Sequence, residues 1–130
     1  VTQLSNHIFE MVDAVAAGNQ KRALELYYDL LTLKEPPMRI LFLLAKQFRQ
    51  LLLVKEYMEE GIPQPEMASR LGVPSFVVKN IASCARSYRI SELRQAVADF
   101  VDAEEAVKTG RLQDVLSVEL LIVKYSSARR

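Results

Sequence analysis

The sequence predicts an all-α fold, a compact bundle of about seven helices, on three observations. Apolar residues recur at the three-to-four-residue spacing of a single helix face. The 4 Gly and 5 Pro fall almost entirely between these periodic stretches, as helix punctuation does. No stretch alternates polar and apolar residues long enough for a strand, and the β-branched pairs Val77-Val78 and Ile122-Val123 lie within helical periodicity.

Each element follows from its boundary residues. Ser5 is expected to cap a first helix that runs to Ala17 and stops at Gly18, a residue type that accepts the left-handed conformation after a helix. Asn19 caps the next helix, to about Lys34. Pro36 and Pro37 open a long third helix, Met38 to Glu60, because proline lacks only an amide that a first turn leaves unpaired. Gly61 closes it. A short helix, Gln64 to Leu71, turns at Gly72 into a fifth, Ser75 to Ser87. Ser91 is expected to cap a sixth that ends before Gly110, and Asp114 starts the last.

The 130 residues, 50% of them hydrophobic, suffice for one core without disulfides or metal and are too few for two, so residues 1–130 read as a single domain. With 17 Lys plus Arg against 16 Asp plus Glu, no overall field holds a polyanion, and nucleic-acid binding needs a local patch. The single cysteine, Cys84, cannot bridge internally and sits in an apolar helical stretch, which points to a reducing cytoplasm. No apolar run reaches the roughly 18 residues of a membrane helix. The start at Val1, with neither an initiator Met nor a signal peptide, reads as that of a piece of a longer chain.

The helix faces fall into two kinds. The sixth helix has one apolar face, Leu93, Ala96, Val97, Phe100, Ala103 and Val107, with Arg94, Asp99, Asp102 and Glu105 pointing away. The third and seventh carry apolar residues around more of their girth than one core contact requires. On the third, Ile40, Leu41, Leu44, Phe48, Leu51 and Leu52 make the main stripe, while Phe42, Leu53 and Tyr57 stand opposite among Lys46, Arg49 and Glu56. On the seventh, Val115, Val118, Leu121, Ile122 and Tyr125 make one stripe, and Leu116, Leu120 and Val123 a second. Two readings follow: either both helices are central, with neighbours of the same chain on each side, or the second stripes meet another subunit. The candidate interface is therefore Phe42, Lys46, Arg49, Leu53, Tyr57, Leu116, Leu120 and Val123.

Pro65 to Ala85 has helix-turn-helix spacing, with Met67, Ala68, Leu71, Val73, Val78 and Ile81 at buried positions and Gly72 at the turn. Ser75, Phe76, Lys79, Asn80 and Ser83 would face a major groove; of these only Lys79 and Asn80 suit bases or phosphates, and Arg70, Arg86 and Arg89 would add phosphate contacts without making a basic stripe. A DNA-reading domain is the alternative function, and a groove that captures a partner helix is a third. No glycine-rich phosphate loop, Cys/His cluster, H-E-x-x-H motif or nucleophile elbow occurs, and His7 has no evident partner. Glu104 and Glu105 diverge on successive helical positions and do not form a catalytic pair. No catalytic, cofactor or metal site is expected.

The order and spacing of several segments carry a family resemblance. These are G-N-Q-K-R-A-L-E-L-Y-Y-D-L-L from Gly18, E-P-P-M-R-I-L-F-L-L-A-K-Q-F-R-Q-L-L-L-V-K-E from Glu35 and P-E-M-A-S-R-L-G-V-P-S-F-V-V-K from Pro65. F-V-D-A-E-E-A-V-K-T-G-R from Phe100 and E-L-L-I-V-K-Y from Glu119 follow in the same register. From about Met11 to Tyr125 the chain resembles the C-terminal collar domains of delta subunits of bacterial DNA polymerase III clamp loaders. The resemblance implies a non-enzymatic domain, without cofactor, that joins other clamp-loader subunits in a helical collar of an AAA+-type assembly. It implies contact with the sliding clamp only through N-terminal domains absent from this chain, DNA contact that is indirect at most, no membrane, and a cytoplasmic location.

Overall fold

The structure, a computed structural model, describes residues 2–127. Among the described residues are α1 (Thr2–Ala16), α2 (Gln20–Thr32), α3 (Pro37–Glu59), α4 (Gln64–Leu71), α5 (Ser75–Ala85), α6 (Ile90–Lys108) and α7 (Asp114–Ser126), and no strand. The longest helix, α3, forms the axis of the bundle: α1, α5, α6 and α7 all pack on it. α2 lies across α1 and α7, and α4 rests on α5.

One apolar cluster runs through the bundle. Ile40, Leu41, Leu44, Phe48, Leu51 and Val54 of α3 meet Met11 and Val15 of α1, Leu26 and Tyr27 of α2, Val78 of α5, Leu93 and Phe100 of α6, and Val118 and Ile122 of α7. Phe48 is its aromatic centre, 5.2 Å from the Phe100 ring, 5.9 Å from Tyr125 and 6.1 Å from Tyr88. Buried tyrosines find partners, as a phenol taken out of water must. Tyr27 Oη donates to the Val115 carbonyl at 2.9 Å and Tyr88 Oη to the Tyr125 carbonyl at 2.9 Å, tying α2 and the segment after α5 to α7.

The all-α expectation holds, and most boundaries lie within two residues of those expected. Two caps differ. Ser5 lies inside α1, because the stripe that buries Ile8 and Met11 extends back through Leu4 and carries the helix to Thr2. Ser91 likewise lies inside α6, whose first turn starts after Arg89; the Arg89 amide donates to the Glu92 carboxylate at 2.8 Å, closing the end that a serine was expected to close. Asn19 does cap α2, accepting from the Arg22 amide at 3.2 Å. Gly72 takes the left-handed conformation, φ 69°, that the tight α4–α5 turn needs. After α2 the same left-handed position is held by Lys34, φ 70°, a non-glycine residue there.

One residue on the polar side of α6 also departs from its expected outward position. Asp99 does not point away from the bundle; its side chain is only 17% exposed. It accepts from Lys124 Nζ at 2.7 Å, Tyr125 Oη at 2.5 Å and Gln95 Nε2 at 2.8 Å, so it clasps α6 to α7. Burial alone would raise this carboxyl, but the hydrogen bonds and the Lys124 charge outweigh it and hold the group below the usual carboxylate range.

Candidate subunit interface

The second stripe of α3 divides between solvent and chain. Phe42, 58% exposed, lines a cleft of about 140 Å³ with Met38, Leu41, Ala45 and Arg49 on one wall and Phe100, Val101 and Glu104 of α6 on the other. Lys46 is exposed on the same face, one turn along. Further on, Leu53 and Tyr57 are half-buried. The guanidinium of Arg70, on α4, sits 5.3 Å from the centre of the Tyr57 ring, so α4 shields that end from inside the chain. The two ends of this stripe thus differ: Leu53 and Tyr57 are partly covered by their own chain, whereas Phe42, Lys46 and Arg49 stay exposed.

α7 is open along its length. Val118, Leu121, Ile122 and Tyr125 are buried as expected, with Val115 half-buried beside them. On the other side Leu116, Leu120 and Val123 stand 39%, 51% and 38% exposed, at the spacing of one continuous stripe. Tyr28 of α2 borders it, 45% exposed, its hydroxyl donating at 2.5 Å to the carboxylate of Glu119 on α7. That bond pushes the Tyr28 phenol above its ordinary value, and burial pushes the neighbouring Tyr27 phenol further up. The stripe is therefore apolar along its middle with a fixed polar rim, the composition of an interface core and its edge.

Two members of these surfaces escaped the sequence reading. Val101, 58% exposed, is the apolar exception on the outer side of α6, and that exception was the available signal. Tyr28 adjoins α7 only because α2 crosses it, which no local pattern reveals.

The helix-turn-helix geometry is real, and its outer face is poor for DNA. Ser75, Phe76, Lys79, Asn80 and Ser83 are exposed, with Phe76 at 70% and Lys79 the single cation among them. α1 runs beside this face. Phe9, Asp13, Phe76, Asn80 and Cys84 line a groove of about 240 Å³ between α1, α3 and α5, which sets a carboxylate where a phosphate would approach. Cys84 Sγ donates to Asp13 Oδ1 at 3.1 Å, and burial, followed by this bond, pushes the thiol up to about 12, away from nucleophilic use. His7 donates from Nδ1 to the Gln3 carbonyl at 2.9 Å, a bond within α1. Among the described residues no cluster of three or more His, Cys, Asp or Glu is placed to hold a metal, and no helix is long and apolar enough to cross a membrane.

With this geometry in hand, comparison with known proteins is specific. Residues 5–125 match the family described as the DNA polymerase III delta subunit, C-terminal domain. A relative, the DNA polymerase III subunit delta of Bacillus subtilis (strain 168), is 32% identical over 121 residues, which span 93% of this chain and 35% of the relative. Among solved structures, the Bacillus subtilis DNA clamp loader delta protein superposes with a TM-score of 0.87 at 32% identity, covering 95% of this chain and 36% of that one. The chain thus spans about a third of the length of the relatives it matches, and none of the three comparisons favours a DNA-reading domain.

Proposed function

We infer the role of this chain from one premise: it belongs to the family of C-terminal domains of DNA polymerase III delta subunits. It is a clamp-loader delta-type domain of the DNA replication machinery, all-α throughout its described residues. Its proposed task is assembly, as one helical domain of a longer cytoplasmic chain: it joins other clamp-loader subunits in a helical collar, and does so without chemistry of its own.

The exposed stripe of α7 carries this reading. A helix whose one side lies in the core should be polar on the other, and here Leu116, Leu120 and Val123 fill it instead. The open half of α3, with Phe42 over the α6 cleft, supplies a second surface of the same kind. Two apolar surfaces on different helices suit a ring or arc, in which each member meets a neighbour on either side. Phe42, Lys46 and Arg49 are assigned to one surface, with Leu53 and Tyr57 at its covered end, and Leu116, Leu120 and Val123 to the other.

The test is co-elution of the natural full-length protein with the other clamp-loader subunits on a sizing column. Phe42→Glu and Leu120→Glu, separately and together, should keep native helicity and lose co-elution, since each puts a charge into an apolar contact. Co-elution of the double variant at the wild-type position would overturn the assignment of these faces. A wild-type protein that joins no loader subunit would overturn the assembly role itself.

A further inference from the structure

We propose that the α3–α6 cleft receives an apolar side chain from an acidic amphipathic helix of a neighbouring clamp-loader subunit, whose carboxylates are met by Arg39, Lys46 and Arg49. The proposal rests on the assembly role and goes beyond it by fixing the chemistry of the partner.

Charge pairing around the cleft motivates it. Arg39, Phe42, Lys46 and Arg49 follow one another at helical spacing on one face of α3, and all four are exposed. Glu104, the acidic residue that lines the cleft, is paired within the chain, as is Glu56 further along α3. Glu56 of α3 meets Arg94 of α6 at 3.8 Å, and Glu104 of α6 meets Lys108 at 3.3 Å. Arg39, Lys46 and Arg49 form no ion pair with any described residue. The chain's overall balance of charge makes this local excess of cations informative, because it is not the overflow of a basic protein.

Shape limits the occupant. The cleft, about 140 Å³, has room for a leucine-sized side chain rather than a whole ligand, and Phe42 and Val101 extend its apolar floor on both sides. A helix laid along α3 would place one apolar residue in the cleft and successive turns of its flank over the three cations. Carboxylates on that flank complete the match, steering the encounter and rejecting basic competitors.

Affinity of the natural full-length protein for each of the other loader subunits, measured at about 50 and 300 mM salt, provides the test. The triple variant Arg39→Glu/Lys46→Glu/Arg49→Glu should bind one subunit roughly tenfold more weakly at low salt and lose the wild-type salt dependence. Arg39→Gln/Lys46→Gln/Arg49→Gln should fall between, and Phe42→Ala should weaken binding to the same partner while keeping the salt dependence. Thermal melting should leave all three variants near wild type, since none of the changed residues is buried. If every partner binds the triple variant as it binds wild type, the acidic-helix proposal fails and the assembly role stands. If wild type binds none of them, both fail. Loss that appears only in duplex DNA binding, or only in self-association of this chain, also overturns the proposal.

Discussion

Phe42 and Phe48 lie six residues apart on α3 and should respond to the same substitution to very different extents. Phe48 is 2% exposed, with three aromatic rings within 6.1 Å, whereas Phe42 is 58% exposed. Truncating a buried phenylalanine to alanine removes its transfer free energy and leaves a cavity that rigid neighbours cannot fill, a cost of about 3–5 kcal/mol. The flanking Phe100, Tyr125 and Tyr88 rings favour the upper half of that range. With a urea slope of about 2 kcal/mol per molar for a domain of this size, Phe48→Ala should lower the unfolding midpoint by roughly 2 M. Phe42→Ala should move it by less than about 0.3 M, the range of an exposed substitution. Circular dichroism across a urea titration measures both, provided the slopes agree. Should the alanine core variant not fold, Phe48→Leu, at about 1–1.5 kcal/mol, keeps the comparison readable. A cost above about 1 kcal/mol for Phe42→Ala would refute the reasoning, because the ring would then be covered by its own chain.

Three further outcomes follow from particular groups. Asp99→Asn should cost about 1–2 kcal/mol at neutral pH through its weakened bonds to Lys124 and Tyr125. Since the folded carboxyl titrates below its unfolded value of about 4, that stabilisation is full at higher pH and fades as pH falls through the folded value; urea midpoints of wild type and variant should converge in acid. Lys34→Gly should raise stability by about 0.5–1 kcal/mol, readable as a higher melting temperature, because glycine meets no side-chain penalty at φ 70°. Cys84, its thiol pushed up to about 12, should react with iodoacetamide at pH 8 more than about a hundredfold slower in the native protein than in urea. Equal native and denatured rates would contradict the Cys84–Asp13 contact and the partial burial of the thiol.

Helix identity and the inner faces of α3, α6 and α7 were legible because they depend on spacing along the chain, which sequence displays directly. Pro37 at the start of α3 and Gly72 at the α4–α5 turn act through their own backbone chemistry and were equally plain. What depends on tertiary packing was not. Leu4 prolonged α1 past Ser5 because the core rewards its burial, and Glu92 displaced Ser91 as the group that closes α6. Asp99 looks like a solvated residue until α7 brings Lys124 and Tyr125 to it. The same limit governed the candidate interface. Phe42, Leu116, Leu120 and Val123 kept their exposure, while Tyr57 was taken up by Arg70 from a helix whose position the pattern on α3 could not specify.

The account stands on apolar residues that face water in the lone domain and a neighbour in the assembly. With Cys84 and any cysteine elsewhere in the full-length protein replaced by alanine, a reporter thiol introduced by Leu120→Cys, or separately by Phe42→Cys, can be labelled in the free protein and in the reconstituted clamp loader. Both reporters should label at the rate of an unhindered thiol when free and at least about tenfold slower once assembled. Labelling rates that stay the same on assembly at both positions would contradict it.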